Sequence, residues 1–284
     1  MMGRKNASER FMALITWAAA DITLCTLLFL VGFILVKGIP HLKPSLFSFT
    51  YNSENVSLMP ALVSTVIMTL MALIIAVPLG VFAAIYLTEY ARRGNKAVSL
   101  VRVTTETLSG IPSIVYGLFG LLFFVTALGW GFSMLAGAFT LSIMILPLII
   151  RSSEEALKAV PDTYREGAFG LGAGKLRTVF RIVLPSAMPG ILAGIILATG
   201  RIVGETAALI YTAGTVAQIP GSPMQSARTL SVHMYALSRE GLHMDEGCAT
   251  AVVLLAVVVL INAVSARIAK KIGGEALFVL ILRI

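Results

Sequence analysis

Charge is what this sequence has least of. Only 13% of its 284 residues are Asp, Glu, Lys or Arg, against 57% hydrophobic. A soluble domain of this length needs a polar shell, and this chain has too few charges to make one. Cysteine is nearly absent: Cys25 and Cys248 are the two, each within an apolar stretch. That excludes a disulfide framework and leaves the redox compartment unread. Histidine is scarce as well, and His41, His233 and His243 share no repeated ligand spacing. His243 with Asp245 and Glu246 reads as a solvated loop rather than a metal site. No Ser/His/Asp order and no paired carboxylates stand out. Internal repeats and low-complexity segments are missing too.

What is present is length without charge. About 20 apolar residues at 1.5 Å rise cross a hydrocarbon core of about 30 Å. Residues 11–36 form one such run, interrupted only by Asp21, and a second lies within 55–88. Between Glu106 and Arg151 there are 44 residues without a charge, about 66 Å of helix and twice the hydrocarbon thickness. That stretch has to fold as two spans, with Gly129-Trp130-Gly131 as the turn. A fifth span covers 188–212 and contains Arg201 and Glu205. A sixth begins near Gly247 and ends before Arg267. The expected fold is all-α: a polytopic membrane protein with six transmembrane helices.

The net charge of +8 follows the loops. The N-terminal arm (1–10), the segments after spans 2 and 4, and the C-terminal tail hold 17 of the 22 Lys and Arg residues. The opposite side holds Lys37, Lys43, Arg228 and Arg239. The positive-inside rule then puts both termini in the cytoplasm. The basic balance is a topology signal, and nucleic acid is not needed to explain it. Arg4, Lys5 and Arg10 before an apolar run also fit a secretory leader, but the run continues to Val36, long enough to remain as a span.

The segment between spans 4 and 5 (151–187) is long for a connection and therefore a functional candidate. Its stretch Gly170-Leu171-Gly172-Ala173-Gly174-Lys175 invites a phosphate-loop reading. That pattern needs Gly and Ser/Thr where Phe169 and Leu176 stand, so no nucleotide site is expected. Pro161-Asp162 suits a helix start, and Gly172 and Gly174 suit a turn. Leu176, Val179, Phe180, Val183 and Leu184 then recur at helical spacing among Lys175, Arg177 and Arg181. A short helix, a glycine turn and a second helix make a projection able to dock on another protein. A basic amphipathic helix lying on anionic lipid remains open as an alternative.

Glu166-Gly167-Ala168, three residues, Gly172, nine residues and then Ile182-Val183-Leu184-Pro185 resemble the EAA loop of ABC importer permeases. One departure is Gly167, where the family usually has Ala; Gly keeps the site small but weakens the helix. Three further stretches resemble the permeases of phosphate importers: Ala76 to Gly80 running into Ile85-Tyr86-Leu87-Thr88-Glu89-Tyr90-Ala91; Ile111 to Gly120; and Arg201 with Gly204-Glu205-Thr206 through Gly214. The last looks more like the PstA type than its PstC partner type. The resemblance covers residues 11–271 and fails over 272–284, whose apolar run 276–282 is too short to span. It implies the type I ABC importer permease fold in a bacterial inner membrane. It also implies a PstC-like permease, two cytoplasmic ATPase subunits and a periplasmic phosphate-binding protein as partners. ATP and Mg belong to the ATPase, so this chain is expected to bind no cofactor and to catalyse no reaction. Glu166, Gly167, Ala168, Gly172, Ile182, Leu184 and Pro185 become the expected ATPase-coupling residues.

Arg201 and Glu205 carry weight independently of the resemblance. Charges inside a span normally face a bundle interior, an ion path or each other. Four residues apart on one helix, they are expected to share a face and to pair, as pathway residues or as a structural ion pair. A permease for another oxyanion such as molybdate or sulfate, an ion channel and an intramembrane enzyme are the competing functions. The enzyme would need a second convergent polar set within the spans, which is not visible.

Overall fold

The computed structural model describes residues 7–92, 94–241 and 243–271. The 272–284 tail and the first six residues lie outside them. Among the described residues there are helices and connections but no strand. Five helices are long and apolar enough to cross a membrane, six crossings if one sharply bent pair counts as one.

The first span is α1, Ala7–Gly38. The second is α2, Met59–Ile85, extended by a π-type turn over Tyr86–Tyr90. The third differs from a straight span. Helix α3, Lys96–Ser109, meets α4, Ser113–Gly120, at a 103° bend, and α4 continues as a π-type turn over Leu121–Ala127. The cause is Pro112. It has no N–H to continue a helix, and it pushes Ile111 out of the helical region. Residues 113–127 therefore cover only about 22 Å at helical rise, short of a full crossing. Gly129 and Gly131, at φ +68° and +64°, make the expected turn. Trp130 stacks on Phe124 at 5.3 Å between ring centroids and pins it.

The fourth span, α5 (Met134–Lys158), begins with the Ser133 hydroxyl accepting from the Ala136 N–H at 3.2 Å. It is the centre of the molecule, packed between α2 and a later helix, Leu184–Val203. Buried inside the protein is 67% of its apolar window, against 6% for α1. Helix α1 packs chiefly on the last span, so most of its surface is left to lipid or a partner. Next come α6 (Asp162–Gly170) and α7 (Lys175–Thr178). A π-type turn over Val179–Val183 leads directly into α8 (Leu184–Val203). The expected second helix of the projection is thus the base of the fifth span, one unbroken helix Lys175–Val203. That span ends at Val203 rather than near 212. A short α9 (Ala207–Ile210), an irregular segment and α10 (Leu230–Glu240) precede the last span, α11 (Met244–Lys271).

Small residues let the spans approach closely, as membrane packing requires. A methyl group added at Gly80 of α2 would lie 2.6 Å from Ile149 of α5, and one at Gly190 of α8 would lie 2.7 Å from Ala156. The main core joins Met68, Ala72 and Ala76 of α2 to Leu141, Met144, Ile145 and Ile149 of α5, with Ala198 and Ile202 of α8. A second core, at the end carrying the basic segments, gathers Ile85, Leu157, Val160, Val179, Val183, Leu184 and Ile191.

Candidate functional site

The 151–187 segment presents two faces. Pro161, in an extended conformation, starts α6, with Asp162 in the first turn, where a carboxylate suits the helix dipole. The helix stops because Gly172 takes φ +81°, its N–H bonding Phe169 O at 2.9 Å while the Ala173 N–H bonds Ala168 O at 3.0 Å. Glu166 and Gly167 are exposed, as are Phe169 and Leu171. A side chain built at Gly167 would meet nothing within 4 Å. Ala168 alone among the α6 residues of the motif turns inward, at 5% exposure. Ile182 and Pro185 are half-buried, and Leu184 sits in the second core between the ends of α2 and α5. The structure therefore puts 166, 167 and 169–172 outward, and Ala168 and 182–185 inward, on one continuous segment.

Arg165 and Glu89 hold this segment in place, and the sequence reading missed them as a pair. The Arg165 Nη2–Glu89 Oε1 distance is 2.7 Å, and Nε donates to both carboxylate oxygens at 3.2 and 3.4 Å. The same guanidinium donates to Val160 O at 2.7 Å, Leu157 O at 2.9 Å and Asp162 Oδ1 at 3.1 Å. One side chain thus ties the end of α2, the end of α5 and the start of α6 together. Both partners are nearly buried, with side-chain exposures of 15% and 8%. The hydrogen bonds to Glu89, more than any other influence, hold the guanidinium above its ordinary pKa despite burial. Such charge-assisted bidentate pairs are the strong ones. Glu89 stood inside a recognised stretch and Arg165 inside the basic count. Seventy-six residues apart, they are joined by no local rule.

The expected Arg201–Glu205 pair does not form here. Helix α8 ends at Val203 with Gly204 as its cap, so the four-residue spacing no longer stacks the two side chains. Glu205 is 9% exposed. Its Oε1 accepts from the backbone N–H of Thr206 and of Ala208, both at 3.1 Å, at the start of α9. Its carbonyl accepts from the Ser231 hydroxyl at 2.6 Å. Arg201 is exposed, and its charge reaches Tyr116 of α4. Among the described residues no ion pair involves Arg201. The end of α8 thus leaves Arg201 outside the described ion pairs and the Glu205 carboxylate occupied by backbone N–H groups.

At the end of the molecule opposite the basic segments, Arg228 is buried and lies 4.7 Å from the Tyr51 ring centroid. The Tyr51 ring also meets His233 edge-on at 6.1 Å. His233 is fully buried. Burial, and secondarily the Arg228 charge, push its imidazole down to about 3. His41 and His243 are more open and lie near single carboxylates, Asp245 at 3.4 Å and Glu246 at 3.7 Å.

Residues 76–273 match the family model of the binding-protein-dependent transport system inner membrane component. The chain is 33% identical over 264 residues to the probable ABC transporter permease protein YqgI of Bacillus subtilis, covering 86% of this chain and 87% of that protein. It is 43% identical over 155 residues to the phosphate transport system permease protein PstA 1 of Mycobacterium tuberculosis, a match spanning 54% of this chain and half of that relative. Among solved structures, a bacterial alginate ABC transporter in complex with alginate pentasaccharide-bound periplasmic protein superposes with a TM-score of 0.64. That match has 16% identity and covers 91% of this chain and 96% of the other; it shows the fold. With its apolar helices, its outward-facing loop helix and these matches together, the chain belongs to the family of binding-protein-dependent inner-membrane transport components, as a multi-pass permease of the ABC importer type.

Proposed function

We propose that this chain is the PstA-type permease subunit of a phosphate importer and forms half of its translocation pathway. The observation that carries the reading is the two-faced 161–185 segment, clamped through Arg165 to α2 and α5 and continuous with the span that carries Arg201. Its partners in this reading are a PstC-like permease, two cytoplasmic ATPase subunits and a periplasmic phosphate-binding protein. The names of the PstA relatives support phosphate as the cargo. Both termini and α6 lie in the cytoplasm, as the charge count supports. The chain binds no cofactor and is not itself an enzyme; ATP and Mg act in the ATPase.

The mechanism follows from connectivity. The ATPase grips the outer face of α6, the surface of Glu166, Gly167 and Gly172, and its closure displaces that helix. The Arg165 clamp passes the displacement to α2 and α5. Residues 175–201 pass it along about 39 Å of continuous helix to Arg201. Phosphate is an anion at neutral pH, and a fixed guanidinium in a low-dielectric path attracts it. Since Glu205 is engaged by backbone N–H groups, Arg201 is available to the cargo. The test is uptake of labelled phosphate by the reconstituted complex, with sulfate and molybdate as competitors. Uptake abolished by unlabelled phosphate alone supports the reading. Equal competition by molybdate or sulfate moves the assignment to another oxyanion.

A further inference from the structure

At the end carrying the basic segments, a cavity of about 850 Å³ opens between the end of α2, residues 91, 92, 94 and 95 of the connection, the first turn of α3 and the start of α6. Its walls carry Arg92, Lys96, Arg102, Lys158 and Arg165 against Glu89 and Asp162. Glu89 and Asp162 are both taken up by Arg165. Glu154, just behind the wall, is shared by Arg102 at 2.6 Å and Lys158 at 2.7 Å. Arg92 and Lys96 have no carboxylate partner among the described ion pairs. The pocket is positive even after every internal pair is counted, and its size is that of a small-molecule site rather than a bare-ion site.

Its position narrows the ligand. The 103° bend swings α3 sharply away from the line of α4. Helix α3 exposes Leu100, Val101 and Val103 at 67%, 43% and 58%, the pattern of a helix seated in the membrane interface. Basic side chains at that level attract anionic headgroups, and a guanidinium matches two phosphate oxygens at once.

We propose that this pocket binds a phosphate-bearing anion, with the headgroup of an anionic phospholipid as the favoured source and free phosphate as the other carrier of the same chemistry. The bound phosphate bridges Arg92 on the α2–α3 connection and Lys96 at the start of α3 to Lys158 at the end of α5, against the start of α6. It thereby braces α6 from the side opposite its outer face.

The experiment uses the assembled importer, as parent and as the double variant Arg92→Gln/Lys96→Gln, with Lys43→Gln at the far end as a control. In one arm, complexes are purified from vesicles of phosphatidylcholine containing phosphatidylglycerol, and retained phosphatidylglycerol is counted by native mass spectrometry. In the other, vesicles of phosphatidylcholine alone are loaded with increasing inorganic phosphate, and the initial uptake rate is read. The expected result is at least a threefold loss of retained phosphatidylglycerol in the double variant, with subunit stoichiometry unchanged and the Lys43 control like the parent. A difference confined to the internal-phosphate arm keeps the site and names free phosphate as its ligand. Parent and double variant behaving alike in both arms overturns the proposal. Headgroup retention is read without transport, so a failure of the phosphate-import reading leaves it standing and distinguishable.

Discussion

At the residue scale, the Arg165–Glu89 clamp gives the sharpest expectation. Removing one partner of a buried ion pair leaves the other charge unpaired, at about 3–5 kcal/mol. Glu89→Ala and Arg165→Ala should each weaken ATPase association and uptake, and the double variant should lose much less than the sum of the two. Arg165→Lys keeps the charge but not the fork, so it should fall between. A double-mutant cycle with additive losses would show that the clamp is not a unit. For Arg201 and Glu205 the structure changes the expectation. Arg201→Gln should abolish uptake with assembly intact, because in the proposed mechanism its charge is the part offered to the cargo. Glu205→Gln keeps an oxygen for the Thr206 and Ala208 N–H groups and should be mild. Glu205→Ala strands both donors, at about 1–3 kcal/mol, and should reduce assembly as well. Assembly and uptake measured separately decide it; equal damage by Gln and Ala at 205 would point to the charge itself. His233 adds a pH effect. Its folded pKa of about 3 lies below the ordinary 6.5, so the unfolded chain takes up a proton that the folded one refuses. Stability from this group is present above about pH 6.5 and is lost as pH falls toward 3. Tyr51 and Arg228 are the groups facing it. The purified complex should lose more thermal stability between pH 7 and pH 5 than its His233→Phe variant does. An identical loss in both would remove His233 as the cause.

At the element scale, helices were largely legible because uncharged runs and punctuation by Pro and Gly are local signals. Pro161 and Gly172 bounded α6 as expected. Two elements were not. The uncharged stretch after Glu106 reads as a span that the structure bends by 103° at Pro112, because hydropathy counts apolar residues and does not see direction. The fifth span was extended past Gly204 because Thr206 through Thr212 stay apolar enough to read as helix. That error created the Arg201–Glu205 pair. The left-handed Gly172 offers the element-scale test. A β-branched residue at φ +81° is strained by about 1–3 kcal/mol. Gly172→Val should therefore uncouple ATP hydrolysis from transport or stop assembly, with membrane insertion unchanged. Gly167→Ala, built into open space on a helix, should be tolerated. Normal uptake and normal ATPase coupling in Gly172→Val would count against the docking role.

At the scale of the whole molecule, of the six expected crossings five are single helices and the sixth is the bent α3–α4 pair, and the all-α class could be read from the long uncharged runs. Long-range pairings could not, for Glu89 meets Arg165 and Glu154 meets Arg102 only after the spans have packed. Orientation rests on charge counting, and labelling tests it. In a background lacking Cys25 and Cys248, Ser222→Cys should react with an impermeant thiol reagent in intact spheroplasts, and Lys175→Cys should react only after lysis. The reverse pattern would overturn the orientation and the ATPase contact together.

Helix α6 is only nine residues long, yet the side that attaches it to the spans and the side it leaves exposed are different. Arg165 and Ala168 look inward, and Glu166, Gly167 and Phe169 look outward. In the proposed reading partner choice is therefore separable from architecture: Glu166, Gly167 and Phe169 can be exchanged without disturbing a single bond of the clamp. Grafting the corresponding outward residues of another importer onto this helix should redirect the permease to that importer's motor while its cargo preference stays as it was.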